Sequence, residues 1–336
     1  MKKINNKVLL TGISGYIGLH CAVELLKNGY VVRGSLRDLS KSREIKNDIS
    51  KFINPKDKLE FCELDLLKDK GWDDAAKGCE YIMHVASPFI NYEPRDENLY
   101  IKPAVQGTLR ALNSGLKANI KRIIITSSVV AMIKNGDRST KIDEKSWTNT
   151  NAKNISAYAK SKTLAERKAW EFVKKHNMEL VVINPGPVFG PPISNNLSGA
   201  SMSMFKELIS GKIPMIPQST INMSDVRDVA KVHVLALKNK QAAGNRFIVT
   251  TKKSYSFSKL AQLLKINGYS KVSTKIAPNF LLKFLGYFDR EAKSMRAFIG
   301  KKYDADISQT MKIFNWSHIP FEKTILDTAK YIEKLI

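Results

Sequence analysis

Three side chains set out the chemistry open to this chain. Tyr158-Ala159-Lys160-Ser161-Lys162 puts a phenol and an ammonium at i and i+4, one helical turn apart on one face. A tyrosine with an ordinary pKa of about 10 is a poor acid or base at neutral pH, and a cation one turn away favours its phenolate. Such a pair also arises by chance and reads equally as two exposed helical side chains. Ser128 changes its weight. The run Ile123-Ile124-Ile125-Thr126-Ser127-Ser128 delivers hydroxyls at the C-terminal end of an apolar, β-branched segment, where open α/β sheets bind ligands. Ser128 is the candidate for hydrogen-bonding a carbonyl oxygen, and Ser127 takes that place under a one-residue change of register. Together the three fit hydride transfer to a carbonyl carbon with Tyr158 as proton donor, or the reverse, alcohol oxidation.

A hydride needs a carrier, and Thr11-Gly12-Ile13-Ser14-Gly15-Tyr16-Ile17-Gly18 reads as its phosphate turn. The segment follows an apolar run and precedes an amphipathic helix carrying Leu19, Val23, Leu25 and Leu26. Gly12 allows the tight turn, Gly15 lets a pyrophosphate approach the backbone, and Gly18 lets helix and strand pack closely. The helix N-terminus then offers free N–H groups to an anion. Thr11, Gly12, Ser14, Gly15, Tyr16, Ile17 and Gly18 are the candidate contacts there. At the end of the next apolar run, Gly34-Ser35-Leu36-Arg37-Asp38, Leu36 stands where an NAD enzyme places a ribose-binding carboxylate, and Arg37 can pair with a 2′-phosphate. NADP(H) is favoured over NAD(H). Asp38 would supply a carboxylate one register later, and Arg33, Lys41 and Arg43 also read as surface charges. Asp65-Leu66 is placed to meet an adenine edge, although Asp65 also reads as a turn residue. Val85-Ala86-Ser87 is small enough to pass beneath a cofactor, Thr126 lies at a strand end, and Lys162 can hold ribose hydroxyls. His84 reads as a packed histidine.

The elements that position these residues follow a simple alternation. Short apolar runs at Lys7–Thr11, Tyr30–Leu36, Lys58–Glu63, Tyr81–Val85, Lys121–Thr126, Leu180–Asn184 and Arg246–Val249 are separated by segments of helical period, among them Tyr16–Asn28, Asp96–Ala118 and Ser156–His176. That pattern predicts an α/β fold, a doubly wound parallel Rossmann sheet. A Pro- and Gly-rich passage, Pro185 to Ser201, and then helical segments at Ser256–Ile266, Pro278–Ile299 and Pro320–Lys334 predict a smaller, mostly helical substrate lobe. The helix Asp225–Lys238 leads back to the last sheet strand. The expected division is 1–189 and 225–250 for the cofactor domain, and 190–224 and 251–336 for a discontinuous lobe.

Charge and cysteine content exclude other classes. The 336 residues carry a net charge of +24, which would normally raise nucleic-acid or anionic-membrane binding. The lysines are scattered, with no basic block of the length that marks a binding tail, so neither partner is expected. Cys21, Cys62 and Cys79 form no CxxC pair or metal-ligand cluster, and no metal is expected. The apolar run Val8–Leu10 is too short for a signal-peptide core or a membrane span. A reducing, cytoplasmic location is the expectation.

Taken together, the glycine turn, Ser128 and Tyr158-x-x-x-Lys162 resemble the extended short-chain dehydrogenase/reductase family. His84-Val85-Ala86-Ser87-Pro88-Phe89, Arg33 to Asp38, Asn184-Pro185-Gly186-Pro187-Val188-Phe189-Gly190-Pro191 and Asp225-Val226-Arg227-Asp228-Val229-Ala230-x-x-His233 are similar to its dihydroflavonol 4-reductase, cinnamoyl-CoA reductase and yeast-type aldehyde/ketone reductase branch. The resemblance implies a Ser128, Tyr158, Lys162 triad and NADPH held by the glycine turn and Arg37. It also implies nicotinamide contacts from Pro185, Gly186 and Val188. It places Ser87 and Phe89 beside Tyr158 at a small carbonyl substrate, in a monomer or homodimer; Met132, from a region rich in Met and aliphatic residues, is a further substrate candidate that reads equally as core. Glu44 falls where plant reductases offer a second cation, so discrimination against NADH is expected to be less strict. The competing readings are a nucleotide-sugar epimerase or dehydratase of the same fold and an NADP-binding regulatory protein. The first lacks the acidic residues that follow the strand in dehydratases, since Ser128 precedes Val129-Val130-Ala131. The second would show a broken triad.

Overall fold

Seven strands, all parallel, make the central sheet: β1 (Lys7–Thr11), β2 (Val31–Leu36), β3 (Leu59–Glu63), β4 (Tyr81–His84), β5 (Arg122–Thr126), β6 (Glu179–Pro185) and β7 (Asn245–Val249). Their spatial order is β3-β2-β1-β4-β5-β6-β7. The structure is a computed structural model and describes residues 6–336 apart from 89–91, 134–138, 154, 196, 198, 281–283, 285–299 and 301.

One row of residues crosses the whole sheet in register: Phe61, Gly34, Leu10, Met83, Ile124, Val181 and Asn245. The C-terminal ends of β1, β4 and β5 therefore lie nearly level, with Thr11 beside His84, His84 beside Ile125 and Ile125 beside Val182, while β6 runs on past this row to Pro185. The order reverses between β1 and β4, which is where open α/β sheets leave a ligand crevice.

The strands are continuously apolar because both sheet faces are covered. Side chains alternate between two cores. Val8, Leu10, Met83, Ile124 and Val181 enter one of them with residues of α1 (Tyr16–Lys27) and α4 (Val226–Lys238). Leu9, Ile82, Ile123 and Val182 enter the other with residues of α2 (Asn98–Lys117) and α3 (Ala157–His176). A third core, holding Phe189, Met202, Phe205, Met223, Phe257, Leu260 and Phe321, forms the helical lobe.

The expected lobe boundary needs one correction. The strand Lys302–Ala305 pairs in parallel with Ser139–Ile142, and Ala305, Ile307, Phe314 and Trp316 join the sheet's own core. Phe314 packs on Phe247 of β7 with ring centroids 4.6 Å apart, and Trp316 donates to Asp228 of α4 at 3.1 Å. An edge strand with an aromatic face needs a cover, and this returning segment supplies it. The helix expected over 278–299 falls largely outside the described residues.

Candidate active site

The glycine turn is shaped by backbone contact. Gly12 has φ +71°, and a Cβ there would meet the Ala86 backbone at 2.9 Å. Gly15 N–H donates to the Gly12 carbonyl at 3.0 Å, and a Cβ on Gly18 would overlap that same carbonyl oxygen. The third glycine therefore packs against the turn itself. Gly15 is the N-cap of α1, with no side-chain cap hydrogen bond, so the first-turn amides retain their anion-binding capacity. Tyr16 and His20 project from this helix to the loop after β6. The Tyr16 hydroxyl donates to the Gly190 carbonyl at 2.8 Å and His20 meets the Pro191 carbonyl at 3.0 Å. The Tyr16 side chain thus anchors the loop after β6, and what it can offer a cofactor is its backbone amide.

At the end of β2, Arg37 is exposed and makes no hydrogen bond or ion pair with another described residue. Asp38 instead caps the turn Leu39–Lys41, accepting from Ser40 N–H at 2.9 Å. Arg33 is spoken for as well: it pairs with Glu60 at 2.5 Å and donates to the Ala75 and Lys77 carbonyls. Asp65 takes its turn reading, accepting from Leu67 N–H at 2.8 Å, while the Leu66 carbonyl accepts from Arg110 at 2.7 Å. Thr11 stitches β1 to β4. Its hydroxyl accepts from Ala86 N–H at 3.1 Å and shares a hydrogen bond with His84 Nδ1 at 2.9 Å. Burial lowers His84 to about 3, so it is a neutral packing residue.

The chemical end gathers where β5 runs out. Ser128 caps the turn Val129–Ala131, and its hydroxyl lies 3.4 Å from the Pro185 carbonyl at the end of β6. Ser156 caps α3, accepting from Ala159 N–H, which puts Tyr158 in the first turn and Lys162 one turn later. Ser128 and Tyr158 share a hydrogen bond that favours the phenolate, but burial outweighs it and pushes Tyr158 up to about 12. The lysine turns toward the end of β5. Its ammonium donates to the Thr126 carbonyl at 3.1 Å, and burial lowers it to about 8. At neutral pH the site therefore holds an un-ionised tyrosine and a desolvated ammonium. The Thr126 hydroxyl donates to His233 Nε2 at 2.7 Å, and His233 Nδ1 donates to the Val229 carbonyl at 2.7 Å. Thr126 thereby turns its carbonyl, not its hydroxyl, to the site.

A family model for the NAD dependent epimerase/dehydratase family matches residues 8–250. The chain belongs to that family. Among its relatives, it is 35% identical over 262 residues to a cinnamoyl-CoA reductase of Medicago truncatula, spanning 75% of this chain and 78% of the relative. It is 30% identical over 257 residues to tetraketide alpha-pyrone reductase 1 of Arabidopsis thaliana, with the same shares. Yeast methylglyoxal/isovaleraldehyde reductase Gre2, solved with NADPH, superposes with a TM-score of 0.75 at 25% identity over 98% of each chain. The resemblance to the cinnamoyl-CoA reductase branch thus stands.

Within this family frame, the remaining candidates divide. Gly186 is buried, its N–H donating to Ser224 at 2.8 Å, and a Cβ on it would overlap the Asn222 carbonyl. Pro185 is buried at the end of β6, and Val188 and Ser87 are partly exposed. Ser87 lines a small cavity with His84, Thr126, Ser127, Lys162 and Glu166. Met132 is a correction: it is wholly buried in the main core with Val129 and offers no surface to a substrate. Phe89 lies outside the described residues. Sequence reasoning missed two aromatic neighbours of the tyrosine. Tyr100 of α2 meets Tyr158 edge-on at 5.8 Å, and Tyr303 packs in one cluster with Tyr158, Val130 and Ile133. It also missed the buried group formed by Asn184, Glu166 and Arg246. Only Asn184 lay within a quoted motif. No group of metal-ligating side chains occurs among the described residues, and none of their helices is long and apolar enough to cross a membrane.

Proposed function

We propose that this protein is an NADPH-dependent reductase of a small aldehyde or ketone, with Tyr158 as the proton donor and alcohol oxidation as the reverse reaction. The observation that carries the reading is the convergence of Ser128, Tyr158 and buried Lys162 at the sheet edge that also bears the glycine turn. The reductase relatives and the NADPH-bound yeast structure support it. The residues present fit the cofactor: Gly12 and Gly15 leave the turn open, α1 has an uncapped N-terminus, and Arg37 is an exposed cation at the end of β2. The buried apolar run after Ser128 disfavours the elimination chemistry of the family's dehydratases.

When bound, NADPH supplies the hydride. The work of the chain is to hold the substrate oxygen and give it a proton. Ser128 and Tyr158 both present hydroxyls to that oxygen, and the un-ionised phenol is in the state a donor needs. As the carbonyl carbon gains a hydride, charge develops on oxygen and the Tyr158 proton moves to it, leaving an alcohol and a phenolate. The Ser128 hydrogen bond favours that phenolate, and the Lys162 ammonium, desolvated and fixed on Thr126, adds positive charge on the same helix. Buried Tyr100 restricts the phenol on one side.

The test is NADPH consumption by purified protein, read by absorbance, across aldehydes, diketones and aryl ketones. Turnover with at least one class is expected. Silence across the whole panel would sink the reading.

A further inference from the structure

Glu166 lies one turn beyond Lys162 on α3 and is buried, with 1% of its surface exposed. A carboxylate taken from water costs several kcal/mol unless its lone pairs are satisfied. Here they are. One oxygen pairs with Arg246 Nε at 2.5 Å and accepts from Trp170 Nε1 at 3.4 Å. The other accepts from the Ser127 hydroxyl at 2.5 Å and from Asn184 Nδ2 at 3.0 Å. Asn184 also reaches the Ser128 carbonyl at 3.2 Å. Arg246 extends the group outward, donating to the Glu144 and Ser146 carbonyls at 3.0 and 2.6 Å with its guanidinium 3.9 Å above Trp147. From that loop Thr148 donates to the Val130 and Ile133 carbonyls, holding the far side of the turn that Ser128 caps.

We propose that Glu166 is a positioning residue for the reduction, fixing Ser128 through Ser127 and Asn184 while its charge faces Lys162. Contacts converge on Ser127, on the Ser128 carbonyl and on Val130 of the turn beyond it, which is more specific than a core needs. An apolar residue of similar volume would fill the space at lower desolvation cost. The carboxylate is also the charge that opposes the effect of burial on Lys162 and favours its ammonium. The other groups around that ammonium are His84 from β4, held neutral by burial, and Tyr158 from α3. Arg246 from β7 is the further cation, tied to Glu166 itself.

The inference rests on the reductase reading, so its test has one arm that does not need turnover. In the full-length protein, Glu166→Gln keeps the shape and removes the charge. Its kcat is expected to fall on the order of 100-fold, the cost of an ångström-scale misplacement, with the carbonyl KM within about 3-fold. Lysine NMR of the cofactor-free protein reads the second arm, in which the Lys162 titration moves to lower pH by about one unit. Ser127→Ala leaves the ion pair intact. It is expected to lower kcat about 10-fold without moving that titration. Glu166→Asp should recover the titration but not the full rate. A folded Glu166→Gln with unchanged kcat and unchanged titration overturns the proposal. If Glu166→Gln does not fold, unchanged turnover by Ser127→Ala overturns it instead. Failure of the wild type to reduce any carbonyl removes the reductase reading, while the Lys162 titration still supports or overturns the coupling of Glu166 to Lys162.

Discussion

At the glycine turn, the groups available to a ligand are backbone amides and one exposed arginine, all supplied by residues 11 to 37, whereas the ground beneath Ser128 and Lys162 is a buried side-chain lattice. That lattice draws on β5, β6, β7, α3 and the loop around residue 146. The first region is local and leaves no room for a side chain at Gly12 or Gly18. The second is assembled from residues far apart in the chain, with Ser127 of the β5 end and Arg246 of β7 both bonded to Glu166. On the proposed function, perturbing one region is expected to leave the other's readout largely intact.

The largest effect belongs to the chemical end. Tyr158→Phe removes the proposed proton donor and should lower kcat by about 10²- to 10⁴-fold with NADPH affinity within about 3-fold by fluorescence titration. A large loss of affinity would show that the two regions are not separable. Gly18→Ala tests the converse. Its Cβ overlaps the Gly12 carbonyl, so the turn must open, weakening NADPH binding by roughly 1–3 kcal/mol while kcat at saturation is largely kept. Arg37→Ala sharpens the comparison within the binding region. Loss of a charge-assisted contact of about 1.5–3 kcal/mol should raise KM for NADPH about 10- to 100-fold and leave KM for NADH unchanged. Equal changes for both cofactors would remove Arg37 from the 2′-phosphate.

Two buried histidines and the partly exposed, desolvated His20 give a pH effect of known sign. Burial lowers His20 and His233 to about 4 and His84 to about 3. Between those values and an unfolded pKa of about 6.5 the unfolded chain binds more protons, so stability is lost as pH falls through that window. Each contributes on the order of 1–3 kcal/mol, and the urea midpoint should be lower at pH 5 than at pH 7. An unchanged midpoint would count against all three being neutral. The smallest effect is expected at Asp38. Asp38→Ala removes a cap from an exposed turn and should lower the urea midpoint slightly with no change in cofactor preference.

Much of the fold was legible in one sequence because its signals are local. Each expected sheet strand matches within a residue or so at its ends, since a strand buried on both faces must be short, apolar and β-branched wherever it sits. The glycine turn was legible for the same reason: Gly12 needs a positive φ and Gly18 has no room for a Cβ. The segment 302–316 was not. Nothing in its composition tells whether Phe314 and Trp316 cover Phe247 or join the lobe, because an amphipathic stretch packs on any apolar face it can reach.

The site divides along the same line. Spacing alone put Tyr158 and Lys162 on one helix face, and a strand end presented Ser128, because helix and strand periods are fixed by the backbone. Which way the ammonium points, and how strongly burial acts on the phenol, were decided by tertiary structure. The sequence suggested a lysine working on a tyrosine. The folded chain turns that lysine to the Thr126 carbonyl and sets Glu166 behind it. Desolvation and buried ion pairs depend on what surrounds a group in three dimensions, and sequence distance carries no record of that.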